Sequence, residues 1–319
     1  MMRIVTVTLN PAIDMTVGLA EPLARGSVNL AESVTETPGG KGINVASFLA
    51  DWGLGSSVTG LIGADNVGIF EGLFREKGLD DRFVRVPGKT RTNVKIVDGD
   101  ETTDVNLPGL RADAPVLRSL ETILLDLAKE GPCIVSLSGS LPKGCGTDIY
   151  ANLTQKLRDI GAQVMLDTSG EALKTALDAP VKPLCAKPNR SELAAWTGRT
   201  IETEEDLIRS AKALLAGGME LLAVSMGGDG AAFFSKEGAL HARKRLNRLS
   251  STVGAGDSMV AGIIAALSEG GDLERAARLG TAFAAARVDA DFEGSLRDHG
   301  AHGAIEAIAS SVELKSIGL

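Results

Sequence analysis

Residues 114–137 read APVLRSLETILLDLAKEGPCIVSL, an amphipathic helical pattern followed at once by a short apolar run. Pro115 stands in the first turn of the predicted helix 114–130, and the run 133–137 has the length and composition of a buried strand. The same pair of patterns recurs twice, as helix 147–160 with strand 163–167 and as helix 203–216 with strand 221–225. This alternation predicts right-handed crossovers and a mostly parallel sheet with helices on both faces.

The composition is that of a chain with a sizeable core. Apolar residues make up 44% of the 319 positions, whereas aromatic residues make up 3% and include one Tyr, so stacking platforms for single-stranded nucleic acid are not expected. The formal net charge of −8 disfavours a polyanion-binding surface but allows a local anion pocket. The 38 glycines, where clustered, mark places at which the backbone approaches a ligand.

Cysteine usage and the chain start predict a soluble protein of a reducing compartment, the cytoplasm. Cys133, Cys145 and Cys185 form no CxxC pair and are odd in number, which argues against a disulfide framework. No signal-peptide pattern is visible, and no run reaches the roughly 18 apolar residues of a membrane span. His299 and His302 beside Asp298 form a weak metal pattern, and a solvated segment before a helix is the alternative.

Two segments interrupt the alternation of helices and strands. Residues 16–38 are strand-like and polar, and residues 92–97 and 102–107 are strand-like runs around Asp98-Gly99-Asp100, a hairpin signal. Strands with one polar face cannot be buried between two helical layers, so we expect a small projecting sheet that serves as a lid or as an oligomer contact. An ordinary extension of the main sheet is the alternative.

The most informative chemical pattern is Val253-Gly254-Ala255-Gly256-Asp257-Ser258 before an apolar helix. Small residues allow successive backbone N–H groups to point into one concavity at a helix start, where the helix dipole favours an anion. Asp257 in the first turn can face the same concavity, an arrangement that suits phosphoryl transfer to a hydroxyl. A glycine-rich turn with Asp257 as a simple cap is the alternative.

Other glycine and polar clusters stand where strands end or helices begin. Gly39-Gly40-Lys41-Gly42 with Asn44 would suit a hydroxylated, anionic ligand, or would be a loop with a solvated lysine. Ser225 to Gly230, which includes Gly227 and Gly228, follows a strand, the usual ligand position in open α/β sheets, although a tight hairpin explains it equally well.

Three further groups of residues are suited to polar chemistry. Asn189 and Glu192 share a helical face and can hold water around Mg²⁺, or they form a helix cap. Asp14 can accept hydrogen bonds from sugar hydroxyls, or it forms an Asx-turn. Arg91 on the hairpin can bind a substrate phosphate, or it is an ordinary exposed arginine.

The ordered motifs resemble those of the ribokinase-like (phosphofructokinase B type) sugar kinases over essentially the whole chain. The motifs that carry the resemblance are NPAID, PGGKGINVA, TRTNVK, SLSGSLPKG, KPNRSE, VSMGGDG and VGAGDSM. Within the family they are most similar to the enzymes that phosphorylate fructose 1-phosphate at C6, and the enzymes acting on tagatose 6-phosphate are close neighbours. Phosphorylation of fructose 6-phosphate, or a catalytically silent phosphosugar sensor, are further alternatives.

The resemblance implies a three-layer, doubly wound α/β domain over residues 1–319, with a β-lid built from segments of about 12–38 and 88–108. It also implies ATP and Mg²⁺ as cofactors, a phosphosugar partner and a homodimer formed through the lid. Asp257 matches the catalytic base, and the backbone of Gly254, Ala255 and Gly256 matches an anion hole.

The family's binding positions are carried over in the same way. The substrate positions are Asp14, Gly39, Gly40, Lys41, Asn44, Arg91, Asn93 and Ser138. The nucleotide positions are Lys187, Asn189, Ser225, Gly227, Gly228, Gly230 and Gly256, and Asn189 with Glu192 would support Mg²⁺ through water. The segment 289–294 reads DADFEG where the family often has a polar turn, so purine contacts and a monovalent cation are left as open alternatives.

Overall fold

The computed structural model describes residues 2–99, 101–249, 252–290, 292 and 301–318. Within these residues, the helices are α1 Lys41–Trp52, α2 Gly68–Lys77, α3 Ala114–Lys129, α4 Ile149–Asp159, α5 Gly170–Asp178, α6 Arg190–Thr197, α7 Glu204–Ala216, α8 Ala255–Ser268, α9 Leu273–Val288 and α10 Ala301–Ser310. The first eight strands are β1 Arg3–Thr8, β2 Ala12–Leu19, β3 Ala31–Gly39, β4 Ser57–Gly63, β5 Asp80–Asp81, β6 Val84–Val86, β7 Arg91–Asp98 and β8 Glu101–Asn106. The remaining strands are β9 Cys133–Ser138, β10 Gln163–Asp167, β11 Cys185–Ala186, β12 Leu221–Ser225, β13 Ala231–Ser235, β14 Gly238–Arg243 and β15 Glu313–Ile317.

Most strands belong to one large sheet with the order β15-β14-β13-β12-β11-β10-β9-β1-β4-β5, and β6 also pairs with β4. The strands from β12 to β5 run parallel, and β13, β14 and β15 add an antiparallel edge. The predicted mostly parallel sheet is therefore confirmed. Because the parallel strands share a direction, their carboxyl ends and the loops that follow them lie at one edge of the sheet.

Helices cover both faces of this sheet, and a large apolar core lies on each face, with a smaller cluster among α1, α2 and β4. Residues of α3 to α7 pack on one face, and residues of α1, α8, α9 and α10 pack on the other. The neighbours Phe233 and Phe234 on β13 show the alternation, since each is fully buried in a different core. Full burial of such a side chain stabilises the fold by about 2 kcal/mol.

The antiparallel helices α8 and α9 pack unusually closely because glycines stand at their crossing. A Cβ on Gly262 would lie only 2.5 Å from the Leu279 carbonyl oxygen, and a Cβ on Gly280 would lie 3.0 Å from Ile263 Cγ1. This close contact fixes the end of α9 beside the beginning of α8. The two helix ends therefore meet at the carboxyl edge of the sheet.

The segments 12–39 and 91–106 form a separate four-stranded sheet with the order β3-β2-β7-β8, which is called the small sheet below. The prediction of a small separate sheet is confirmed, and the alternative of an extended main sheet is wrong. Its central strands β2 and β7 are parallel, with Asp14 opposite Asn93, whereas both outer strands are antiparallel to their neighbours. One face carries polar side chains, and the other is largely apolar.

Candidate active site

The centre of the candidate site is Asp257, in the first turn of α8. Gly254 precedes the helix with a φ of 83°, a left-handed conformation that glycine adopts without strain. The Asp257 carboxylate is buried, and its Oδ2 accepts a hydrogen bond of 2.7 Å from Asn44 Nδ2 in α1. The predicted combination of a glycine-rich helix start and an adjacent carboxylate is therefore present in the folded chain.

The environment of Asp257 raises its pKa to about 6. Burial of the carboxylate is the largest cause, and the negative charge of Asp167 adds to it. The hydrogen bond from Asn44 and the charges of Lys41 and Lys187 act in the opposite direction. A carboxylate with this pKa is ionised at pH 7 and holds a proton better than an ordinary aspartate, as a general base requires.

Two lysines meet on one buried carboxylate beside this helix start. Lys41 Nζ lies 3.0 Å from Asp167 Oδ2, and Lys187 Nζ lies 3.2 Å from Asp167 Oδ1. Asp167 and Lys187 are almost fully buried, whereas the Lys41 side chain is 39% exposed. Burial alone would lower the pKa of Lys41, but the negative charges of Asp167 and Asp257 raise it above its ordinary value, so the ammonium group stays charged.

A cavity of about 530 Å³ lies between the polar face of the small sheet and α8. Thr37, Asp14, Asn93 and Asn106 stand in one row across the four strands, and all four line the cavity. Asn93 Nδ2 donates a 2.9 Å hydrogen bond to Asp14 Oδ1, and burial raises the pKa of Asp14. Asn44 and Gly254 line the opposite wall, so the cavity reaches the beginning of α8.

The glycines before α1 allow the backbone to pass close to the first strands. A Cβ on Gly39 would lie 2.2 Å from Asp14 Oδ2, and a Cβ on Gly40, where φ is 135°, would lie 2.7 Å from Thr8 Cγ2. Any side chain at Gly39 would therefore displace Asp14. Their neighbours Pro38 and Asn44 line the cavity, and substrate binding by Gly39, Gly40 and Lys41 stays a prediction.

Arg91 occupies the same face of β7 as Asn93, but its guanidinium is bound to backbone oxygens. It donates to the carbonyls of Asn10, Pro11 and Leu107 at 3.3 to 3.5 Å. Burial lowers the pKa of Arg91, which a charged neighbour, Asp14, partly offsets. Arg91 and Lys41 therefore do not meet at one point, and phosphate binding by Arg91 stays a prediction.

A second cavity, of about 620 Å³, opens on the other side of the α8 start. Its polar wall contains Ser225, Gly227, Gly228 and Gly230, and Gly256 and Ala255 form its end next to Asp257. Gly230 has a φ of 86°, and a Cβ there would lie 2.2 Å from the Ala242 carbonyl oxygen, so this turn requires glycine. The predicted nucleotide residues are thus brought to one cavity, apart from Asn189, Glu192 and Lys187.

Asn189 and Glu192 form the capping box of α6, which is the alternative that the sequence left open. Each backbone N–H donates to the other residue's side-chain oxygen at 2.8 Å. Among the residues that the structure describes, no group of three or more His, Cys, Asp or Glu could hold a metal. Mg²⁺ typically keeps several waters and binds one or two carboxylates together with substrate phosphates, so a water-mediated role for Glu192 stays a prediction.

Ser138 is a predicted substrate residue whose hydroxyl is bonded within the sheet. It is the last residue of β9, it is fully buried, and its hydroxyl lies 2.8 Å from the Ser136 hydroxyl. The two serines are two positions apart on a strand and therefore point to the same face. Ser138 pairs with Asp167 of β10 at the carboxyl edge of the sheet, and its role in substrate binding stays a prediction.

Sequence reasoning missed Asp167, Arg287 and Lys95. Asp167 ends a correctly predicted strand at the carboxyl edge, which is a position where it could have been noticed. Lys95 and Arg287 line the 530 Å³ cavity, from the small sheet and from the last turn of α9 respectively. Neither has a local sequence signal, because only the packing of distant elements brings them there.

Some predictions fall outside the described residues. His299 and residues 291, 293 and 294 of the segment 289–294 are among the undescribed positions, whereas His302 stacks on Trp52 with ring centroids 3.7 Å apart. Cys133, Cys145 and Cys185 are free thiols. No helix in the described part of the chain is long and apolar enough to cross a membrane.

Comparison with known proteins agrees with this geometry. Residues 7–291 match the model of the pfkB family of carbohydrate kinases. The chain is 45% identical over 312 residues to a 1-phosphofructokinase of Xanthomonas campestris, covering 96% of this chain and 98% of that one. It is 47% identical over 284 residues to a 1-phosphofructokinase of Rhodobacter capsulatus, covering 88% and 89% of the two chains.

A solved structure gives the same fold. Phosphofructokinase-2 from Escherichia coli in complex with fructose-6-phosphate superimposes with a TM-score of 0.86 at 27% identity, over 98% of this chain and 99% of that one. The three-layer architecture with a small separate sheet is therefore shared. On the family match and these relatives together, the chain belongs to the pfkB family of carbohydrate kinases.

Proposed function

We propose that this kinase transfers the γ-phosphoryl group of ATP to the C6 hydroxyl of fructose 1-phosphate, giving fructose 1,6-bisphosphate and ADP. The observation that carries the proposal is the position of Asp257 in the first turn of α8, where Gly254 lines one cavity and Ala255 and Gly256 line the other. The names of the relatives that cover nearly the whole chain support the choice of acceptor.

Asp257 acts as the general base in this proposal. Its carboxylate takes the proton of the C6 hydroxyl while the oxygen attacks the γ-phosphorus in line. The new O6–P bond forms as the bond from the γ-phosphorus to the β,γ-bridging oxygen breaks, and ADP leaves with that electron pair. The raised pKa makes Asp257 a stronger base than an exposed aspartate, a contribution typically worth about 10² to 10⁴-fold in rate.

The backbone amides at Gly254, Ala255 and Gly256 stabilise the negative charge on the phosphoryl group as it is transferred. They belong to the start of a 14-residue helix, whose dipole adds positive potential at that end. Lys187 extends the positive region on the nucleotide side, since a Cβ on Gly256 would lie 3.4 Å from Lys187 Nζ. Lys41 does so on the acceptor side, and Asp167 holds both lysines in place.

The acceptor sugar occupies the cavity of about 530 Å³ in this account. Asp14, Asn93 and Asn44 present oxygens and amide donors to its hydroxyls, and the backbone at Gly39 and Gly40 allows the sugar to approach α1. Arg91 binds the 1-phosphate, exchanging backbone carbonyl acceptors for a charged one. That exchange is favourable because a phosphate carries full negative charge and accepts two parallel N–H bonds from the guanidinium fork.

ATP occupies the second cavity, whose volume of about 620 Å³ is within the usual range for small-molecule sites. The turn from Ser225 to Gly230 contacts its ribose and phosphates, and the apolar wall from Met259, Ala284 and Val288 contacts its base. Mg²⁺ would neutralise the phosphates, and Glu192 and Asn189 would bind its waters. The free cysteines are compatible with action in the cytoplasm.

The small sheet serves as a lid and as a dimer contact in the same proposal. One kinase domain then spans residues 1–319, with the lid formed by segments of about 12–38 and 88–108. The polar face of the sheet closes over the acceptor and excludes water from ATP. The opposite face exposes Val34 and Val105, at 56% and 46%, and a second copy of the chain covers it.

The proposal is tested by comparing fructose 1-phosphate, tagatose 6-phosphate and fructose 6-phosphate as acceptors, with ATP and MgCl₂. We expect the highest kcat/KM for fructose 1-phosphate and, by ³¹P NMR, a product phosphorylated at C6. Preference for either 6-phosphate would refute the acceptor and leave the kinase assignment standing. Omission of MgCl₂, with EDTA present, should abolish turnover.

A further inference from the structure

Arg287 is a cationic side chain at the site, and the reaction proposed above assigns it no role. It stands in the last turn of α9 and lines the 530 Å³ cavity together with Asn44 and Gly254. A Cβ placed on Gly254 would lie 3.2 Å from Arg287 Nε, so the guanidinium lies directly against Gly254. Gly254 is the first of the three residues, 254–256, whose backbone amides form what is called the amide cup below. The close packing of α8 on α9 at Gly262 and Gly280 fixes this position.

The surroundings of Arg287 are electrostatically unbalanced. The C-terminal end of α9 favours a cation, but the N-terminal end of α8 disfavours one, and Lys41 and Lys187 lie near the same helix start. Arg278, earlier on α9, is paired with Glu274 and with two carbonyl oxygens. Arg287 has no ion-pair partner among residues 2–99, 101–249, 252–290, 292 and 301–318. A guanidinium placed beside amide donors with no carboxylate partner there indicates an anionic ligand.

The position of Arg287 decides which anion this is. An acceptor whose C6 hydroxyl meets Asp257 carries its 1-phosphate at the far end of the molecule, where Arg91 lies with Asn10 and Leu107. Arg287 lies instead at Gly254, where the amides receive the phosphoryl group in transfer. Lys187 borders the same cup on the nucleotide side, so Arg287 completes it on the acceptor side.

We propose that Arg287 binds the phosphoryl group during its transfer and remains in contact with it as the 6-phosphate of the product. This inference rests on the proposed function. The three equatorial oxygens of a phosphoryl group in transfer carry its charge, and a fork of N–H donors can bind two of them at once. The guanidinium therefore stabilises the transition state and the bisphosphate more than the monophosphate acceptor.

Steady-state kinetics and calorimetry of the Arg287→Ala enzyme test this inference. We expect kcat to fall by about 10²-fold, with KM for the acceptor changed by less than about twofold. Binding of fructose 1,6-bisphosphate should weaken by about 10- to 100-fold, while binding of fructose 1-phosphate stays within about twofold. Arg209→Ala, which removes an exposed arginine of α7 from the surface, is the control for the loss of one charge.

Added guanidinium ions separate a chemical role from a structural one. Guanidinium chloride at millimolar concentration should restore part of the kcat of Arg287→Ala, whereas KCl at the same ionic strength should not. Three results would each overturn the role of Arg287. They are an unchanged kcat with unchanged bisphosphate affinity, an equal loss of affinity for fructose 1-phosphate and fructose 1,6-bisphosphate, and a loss of kcat that guanidinium does not rescue.

The proposal for the acceptor and the proposal for Arg287 can be refuted independently. If the wild-type enzyme prefers another phosphosugar, the same comparison is made with that monophosphate and its bisphosphate product. The acceptor proposal would then be wrong, and the measurement would still decide whether Arg287 binds the transferred group.

Discussion

Asn44 and Asp257, which are far apart in the sequence, are joined by a 2.7 Å hydrogen bond between Asn44 Nδ2 and Asp257 Oδ2. The bond connects the first turn of α1 to the first turn of α8. It orients one carboxylate oxygen of Asp257 and leaves the other available for an acceptor hydroxyl. This contact therefore ties Asn44, which lines the 530 Å³ cavity, to the carboxylate at the start of α8.

The pH dependence of kcat/KM should report the ionisation of Asp257. Because its pKa in the folded protein is raised to about 6, activity should fall on the acid side with a midpoint near pH 6. In Asp167→Asn, the loss of a neighbouring negative charge should move that midpoint to lower pH. Asp126→Asn, which removes an exposed carboxylate of α3, is the control; an acid midpoint near pH 4 in the wild type would contradict the assignment.

Asn44→Ala should move the same midpoint in the opposite direction. The hydrogen bond from Asn44 favours the ionised form of Asp257, so its removal should raise the pKa of the carboxylate and shift the acid limb of kcat/KM to higher pH. The comparison of wild-type, Asn44→Ala and Asp167→Asn profiles is the measurement. Shifts of equal sign in both variants would mean that the limb reports a different group.

Gly39→Ala should weaken acceptor binding, and its effect on the stability of the fold should be smaller. The added Cβ would lie 2.2 Å from Asp14 Oδ2, so Asp14 must leave its place opposite Asn93, and KM for the phosphosugar should rise by about tenfold or more. Gly72→Ala in α2 has open space and is the matched control, expected to keep KM and to stabilise the fold by up to about 1 kcal/mol. An unchanged KM in Gly39→Ala would remove Asp14 from the acceptor site.

Val34→Glu should dissociate the proposed dimer. The side chain lies on the apolar face of the small sheet and is 56% exposed in the single chain. Burying a carboxylate against a second copy costs several kcal/mol, so light scattering after size exclusion should give a monomer for the variant and a dimer for the wild type. Ile160→Glu, at the end of α4, is the control; a monomeric wild type would end the dimer proposal.

Local sequence patterns predicted the secondary structure of this chain well. The strands β10 and β12 have the predicted bounds, since apolar runs flanked by glycine or turn residues leave little choice. The hairpin around Gly99 was predicted for the same reason. The pairing of β2 with β7 was not predicted, because such a parallel register depends on contacts between distant segments.

The sequence predicted those residues of the candidate site that belong to a motif at a helix start. It missed the residues that reach the site only through the packing of distant elements. Asp257 and Gly254 stand in one motif, so sequence alone places them together. The contact of Lys41 with Asp167 joins residues that are distant in the chain, and the place of Arg287 depends on the crossing of α8 and α9. Substrate binding by Ser138 stays a prediction, because the residue ends β9 beside Asp167 while its hydroxyl is bonded to Ser136.

The most direct test of the whole account is the kcat of Asp257→Asn, measured beside its thermal unfolding at pH 8. The account predicts a loss of kcat of about 10²-fold or more, with acceptor and ATP affinities retained. Because the folded-state pKa of Asp257 lies above its unfolded value, its carboxylate costs stability above pH 6, so the variant should unfold at the same or a higher temperature. A variant that keeps wild-type kcat would contradict the central claim that Asp257 removes the proton from the acceptor.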